Sequence, residues 1–248
     1  MTQTYQYTSS PYPIRQDLAD AYREYWHILA GPGNWFTGAQ RIAIAAEVRN
    51  ALECPFCAQR KKALSPYTMA GEHLAGNVLG AEAIDAIHRA ITDQSRITQQ
   101  YIEDNAKQGL SEEHYVELLS VALIVFSIDE FHRALGLPVE PLPEPLAGDP
   151  DHYRPPNTEH GTGYVAMIPP DGAVGSESDL WENGKTANVL RALSLVPNGL
   201  RNWKKVANSQ YLSMKGMMNF TGPTGRAINR MQIELVAGRV SSINECFY

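Results

Sequence analysis

The sequence predicts an all-α fold. Apolar residues recur at helical spacing in stretch after stretch. Capping residues and Gly or Pro stops bracket those stretches. No stretch alternates apolar and polar residues as a half-buried strand would. The first helix is read over 15–30, where Leu18, Ala21, Tyr22, Tyr25, Ile28 and Leu29 share one face; Gly31, Pro32, Gly33 and Asn34 end it. A second, about Ala39 to Leu52, follows Thr37 and Gly38. A third opens near Cys54 and Pro55, since proline suits the first helical position. Ala81 to Ile91 and Ser95 to Lys107 read as two more. Ser111 then caps a helix running to Leu135, with Glu112 and Glu113 in its first turn, where the helix dipole favours negative charge. Gly136 and Pro138 stop it.

Residues 137–184 change character. They are rich in Pro and Gly, poor in periodicity, and read as a long connector. Helical pattern resumes near Thr186, continues through 201–218 and recurs from Arg226 to Ile243. The expected organisation is therefore a helical unit over 1–136, a linker over 137–184 and a second helical unit over 185–248.

The chain has 248 residues, 44% of them apolar and 19% charged, enough to bury a core and to exclude global disorder. Its net charge of −6 and the lack of any basic stripe longer than Arg60-Lys61-Lys62 argue against nucleic-acid or anionic-membrane partners. The N-terminus has no signal-peptide pattern. The longest apolar run, Val116 to Ile128, holds Glu117, Ser120 and Ser127 and is too polar for a bilayer span. A cytoplasmic protein is expected. The 3 cysteines, an odd and small number, do not make a secreted disulfide scaffold.

Cys54 and Cys57 form C-P-F-C at the start of a helix. Thiols so spaced can join across one turn, and the positive helix end favours the thiolate. Lys61 lies four residues after Cys57 and Arg60 three after, on the same face. The pair also reads as two inert buried thiols, or as half of a zinc knuckle. Zinc normally takes four ligands, and neither a second C-x-x-C nor a neighbouring H-x-x-x-H pair is present.

Glu234 and Cys246 stand twelve residues apart, in Glu234-Leu235-Val236-Ala237-Gly238-Arg239-Val240-Ser241-Ser242-Ile243-Asn244-Glu245-Cys246. This segment resembles the start of the motif of the AhpD-like superfamily, which includes alkylhydroperoxidases and carboxymuconolactone decarboxylases. That motif is a Glu, eleven residues, C-x-x-C, and a His four residues after the second Cys. The first unit keeps the thiol pair, but Ile42 stands where the Glu would be and Lys61 where the His would be. The helix carrying Val116-Glu117-Leu118 and the stretch from Phe131 to Pro138 are also similar to the superfamily. Aligned on their cysteines, the two units share Ala45 with Ala237, Val48 with Val240 and Glu53 with Glu245.

The resemblance implies an AhpD-like helical bundle, one complete unit plus a truncated second. It also implies a thiol-dependent peroxidase or disulfide oxidoreductase that uses no metal, haem or other cofactor. Cys57 would attack the peroxide, Cys54 would resolve the sulfenic acid, and an external dithiol protein would reset the pair. Glu47 and Glu117 are the candidate carboxylates, and His88 and His132 the candidate imidazoles. His88 is preferred because its helix is expected to pack over the thiols. Glu234 and Cys246 would begin a second site whose next thiol-equivalent, at position 249, is expected to be a selenocysteine encoded by a stop codon. Residues 186–248 are expected to dock on the first unit or on another protomer, a dimer being the favoured assembly. Two other readings stay open: a catalytically silent helical scaffold, and an enzyme of the carboxymuconolactone decarboxylase branch.

Overall fold

A computed structural model describes residues 7–76, 78–181 and 184–243. Its helices are α1 (Gln16–Ala30), α2 (Gly38–Glu53), α3 (Pro55–Lys62), α4 (Ala81–Thr92), α5 (Gln99–Lys107), α6 (Glu112–Ala134), α7 (Asn188–Arg191), α8 (Pro197–Gln210), α9 (Met214–Met217) and α10 (Arg230–Ile243). Among the described residues there is no strand, only an isolated antiparallel bridge between Glu159 and Met167. The fold is all-α.

Local chemistry sets the helix ends. Thr37 accepts from the Gln40 amide while the Gln40 side chain accepts from the Thr37 amide, a capping box that starts α2. Thr98 and Ser111 cap α5 and α6 through the amides of Tyr101 and His114. At the far end of α6, Gly136 has φ 68°, and the amides of Gly136 and Leu137 return to the carbonyls of Arg133 and His132. That is a Schellman closure, and its left-handed residue favours glycine. Cys54 is at once the C-cap of α2 and the N-cap of α3, so the two helices meet at one sulfur-bearing joint.

Three segments depart from the periodic reading. The helix expected from Ser95 begins at Gln99, because Gln94–Arg96 form a 3-10 turn and Thr98 offers the cap. The pattern from Thr186 gives only the short α7, after which Pro197, suited to a first turn, starts α8. The last helix starts at Arg230 rather than Arg226, whose guanidinium instead donates to the carbonyls of Ser209 and Tyr211.

The chain divides into two compact units, Met1–Val206 and Ala207–Tyr248. In the first, α2, α4 and α6 pack mutually, with α1 against α2 and α3 against α4. The core is built from Tyr22, Leu29, Ile44, Ile87, Leu118, Ile124 and Ile128, all essentially inaccessible to water. No helix among the described residues is long and apolar enough to cross a membrane.

The boundary expected across 137–184 is drawn instead after Val206. The Pro-rich stretch is part of the first unit. The Leu146 amide donates to the Ala30 carbonyl at 2.8 Å and the His152 amide to the Asn34 carbonyl at 2.7 Å. Val165, Ala166, Ile168, Leu180 and Trp181 are buried in the same core, joined by Leu190, Leu193, Leu195, Val196, Leu200 and Val206. Extended backbone can be buried there because its polar groups find partners. The Ile168 amide donates to Ser194 Oγ at 2.9 Å, and the Ile168 carbonyl accepts from Arg191 Nε at 2.9 Å. In the second unit, Arg230 and Tyr211 both reach Glu234, and α10 leaves Met231, Leu235, Val236, Val240 and Ile243 exposed.

Candidate active site

Cys54 and Cys57 are free thiols and both are buried. Pro55 fixes the first turn of α3, so the two sulfurs sit one turn apart at its start. Together with Phe56, and with Met69 against them, they form a small cluster of their own, apart from the main core. Three further segments close around it: the C-terminal half of α2, α4, and the connection between α3 and α4 that carries His73, Leu74 and Gly76.

From α4, His88 faces Cys57, with Nδ1 3.3 Å from Sγ. Its other nitrogen, Nε2, lies 3.3 Å from Glu47 Oε2 on α2. A carboxylate only accepts, so Nε2 carries the proton and Nδ1 turns its lone pair to the sulfur. Burial lowers the pKa of His88, and the charge of neighbouring His73 lowers it further, against the raising effect of Glu47. His88 is thus neutral before it receives a proton. The second oxygen of Glu47 accepts from the Gly76 amide, which ties the coil to α2.

From the coil, His73 brings Nδ1 to 3.4 Å from Cys57 Sγ and 3.8 Å from Cys54 Sγ. Its Nε2 lies 3.0 Å from Asp85 Oδ1. Asp85 is a hub, also accepting from Arg60 Nη1 at 2.9 Å, Arg89 Nε at 2.6 Å and the Tyr101 hydroxyl at 2.8 Å. Burial would raise the Asp85 pKa, but the His73 hydrogen bond, the charge of Arg89 and the bonds from Arg60 and Tyr101 hold it far below the usual carboxylate range. Burial would lower the pKa of His73, but Asp85 and the two sulfurs outweigh it and push it up to about 10. Burial opposes the Cys54 thiolate, yet the amides of Cys57 and Leu74 and the His73 ring bring that thiol down to about 7. Phe56 is held between Arg60, whose guanidinium carbon is 4.2 Å from the ring centroid, and the edge-on ring of His73.

The expected site residues are therefore only partly gathered. Cys54, Cys57, His88 and Glu47 come together. Glu117 does not join them: it accepts from the Trp35 amide at 2.6 Å and pairs with buried Arg41, bracing the start of α2. His132 lies 2.9 Å from the Tyr7 hydroxyl and 3.5 Å from Glu140, near the other end of α6 from Glu117. Lys61 is exposed on α3, and it is Arg60 that turns back to Asp85. Glu234 bonds Tyr211 and Arg230 within the second unit. Cys246 lies outside the described residues.

His73 and Asp85 are the additions that sequence reasoning missed. His73 stands sixteen residues after Cys57 in aperiodic coil, a spacing that signals nothing. Two further metal-type donors stand beside the thiols although no second C-x-x-C or H-x-x-x-H pair announced them. The ligand atoms of Cys54, Cys57, His73 and His88 all lie within 4.8 Å of one another. No family model, curated protein or solved structure matches the chain.

Proposed function

We propose that the chain is a thiol-dependent peroxidase of the AhpD-like kind, with Cys57 as nucleophile and Cys54 as resolving thiol. The observation that carries this reading is the line Cys57 Sγ, His88, Glu47, joined by two contacts of 3.3 Å. It supplies the base and the carboxylate that the motif around the first thiol pair lacks, from other helices. The His73 imidazolium, held by Asp85, offsets the cost of negative charge on buried sulfur.

The Cys57 thiol passes its proton to His88 Nδ1, and Glu47 steadies the resulting imidazolium. The thiolate attacks the terminal oxygen of a hydroperoxide. An S–O bond forms, the O–O bond breaks, and the alkoxide leaves as alcohol with the proton from His88. The Cys54 thiolate then attacks the Cys57 sulfenic acid. A disulfide forms and hydroxide leaves, protonated to water. Two thiols and one peroxide give one disulfide, one alcohol and one water. An external dithiol returns the pair by exchange. This chemistry belongs in a reducing compartment such as the cytoplasm.

The test is peroxide consumption by the purified, metal-free protein with a dithiol. Turnover should vanish in Cys57→Ser. Cys54→Ser should complete one oxidation and stop as a sulfenic acid that a dione probe captures. Equal, slow oxidation of both cysteines would leave the scaffold reading standing.

A further inference from the structure

We propose that Cys54, Cys57, His73 and His88 form a closed tetrahedral binding site for one zinc ion. The inference uses the thiols of the peroxidase reading but does not depend on it. Zinc bound by two thiolates at about 2.3 Å and two imidazoles at about 2.0–2.1 Å separates its donors by roughly 3.3–3.8 Å along the edges of the tetrahedron. Three of the four sulfur-to-nitrogen separations are 3.3, 3.4 and 3.8 Å, and all four donors fit within 4.8 Å.

The surroundings support the same assignment independently. Each histidine presents Nδ1 to the common centre and rests its Nε2 on a carboxylate, Asp85 for His73 and Glu47 for His88. Such carboxylate–histidine pairs keep Nε2 as the protonated nitrogen, so zinc displaces the proton from His73 Nδ1 and takes both inner nitrogens as ligands. The Leu74 amide donates to Cys54 Sγ at 3.4 Å, a contact that a thiolate ligand accepts. Two thiolates and one Zn2+ sum to zero charge, which suits a pocket where Cys54, Cys57 and His88 are almost fully buried.

All four positions are taken by protein, so the ion has no open site for substrate. Bound zinc occupies both the nucleophile and its base. Peroxide and zinc therefore compete for the same sulfurs. If oxidation occurs, the zinc-bound thiolates, one hydroperoxide and two protons give the disulfide, alcohol, water and free Zn2+. Thiol reduction restores the site.

The experiment titrates the reduced 248-residue chain with zinc sulfate against a chromophoric chelator, and separately with cobalt chloride. We expect one high-affinity equivalent per chain and a cobalt spectrum of four-coordinate type with sulfur-to-metal charge transfer. Cys246→Ser should leave both unchanged. His73→Ala and Cys54→Ser should abolish high-affinity binding with helical circular dichroism retained. Asp85→Asn should weaken it about 10–100-fold by loosening His73. A six-coordinate cobalt spectrum, or high-affinity binding that survives His73→Ala, overturns the proposal. Because no peroxide is present, its failure leaves the peroxidase reading intact. Failure of turnover in metal-free protein leaves the zinc site intact.

Discussion

Asp85 accepts from His73 Nε2 at 3.0 Å, and this contact draws a coil residue into a site otherwise built from helices. Arg60, Arg89 and Tyr101 converge on the same carboxylate, so α3, α4, α5 and the coil meet at one side chain. Replacing it by alanine leaves four donors facing one another without their acceptor. Asp85→Ala should cost about 3 kcal/mol, the size expected when one partner of a largely desolvated charge network is removed. Urea unfolding of reduced protein measures it. A loss below about 1 kcal/mol would mean that the four donors find water as readily as the carboxylate.

His88 is predicted to act on rate rather than on fold. Its ring is buried between Cys57 and Glu47. His88→Gln keeps a polar side chain in the space and removes the base. Peroxide oxidation of Cys57 at neutral pH should slow by about 10²-fold or more, the usual contribution of a positioned base. Stopped-flow oxidation of metal-free protein reads this directly. Glu47→Gln should slow it less, since it leaves the imidazole in place. An unchanged rate in His88→Gln would remove the proton relay from the mechanism.

The coil over the thiols should be sensitive to one methyl group. A Cβ at Gly71 would fall 2.4 Å from the Phe56 ring, closer than any real contact. Phe56 has little room to yield, with Arg60 stacked on it and His73 against its edge. Gly71→Ala should therefore lift the coil and expose Cys54 and Cys57. Their reaction with a disulfide reagent should speed up several-fold while helical content stays constant. Unchanged thiol reactivity would show that the coil absorbs the methyl without moving.

What could be read from the sequence follows from where each structural cause lies. The starts of α2 and α6 and the stop at Gly136 are set by neighbours in the chain, and Thr37, Ser111 and Gly136 announced them. Cys54, Cys57, His88 and Glu47 were singled out from the sequence and do come together, since the thiol pair is local and α4 packs on α2 and α3. His73 and Asp85 were not, because their meeting depends on how the connection carrying His73 returns from α3 to α4. Residues 137–184 were misread for a related reason. Periodicity finds helices, whereas Val165, Ala166 and Ile168 are buried in extended chain paired to Ser194 and Arg191, distant in sequence.

Gly136 offers a test of that local coding. It sits at φ 68° with nothing within 4 Å of where a Cβ would stand. Gly136→Ala should cost about 1 kcal/mol through backbone conformation alone, with no clash to repack. Gly136→Asn should recover part of that loss, since asparagine tolerates the left-handed region. Thermal melting of the three proteins checks the order Gly, Asn, Ala; equal stabilities would deny the Schellman closure any role.

The placement of residues 186–206 in the first unit makes the strongest claim about long-range packing. Leu195 is fully buried, in the same core as Leu118 and Ile128 of α6. If this stretch were a separate domain tethered by a linker, Leu195→Ala would weaken only that domain, and unfolding followed at α6 would not change. Because the core is shared, the cavity should cost about 2–5 kcal/mol, felt by the whole unit. Hydrogen exchange resolves the two cases. The amides of α2 and α6 should lose protection together with those of α8, by the same free energy. Loss confined to α8 would restore the boundary to the Pro-rich stretch.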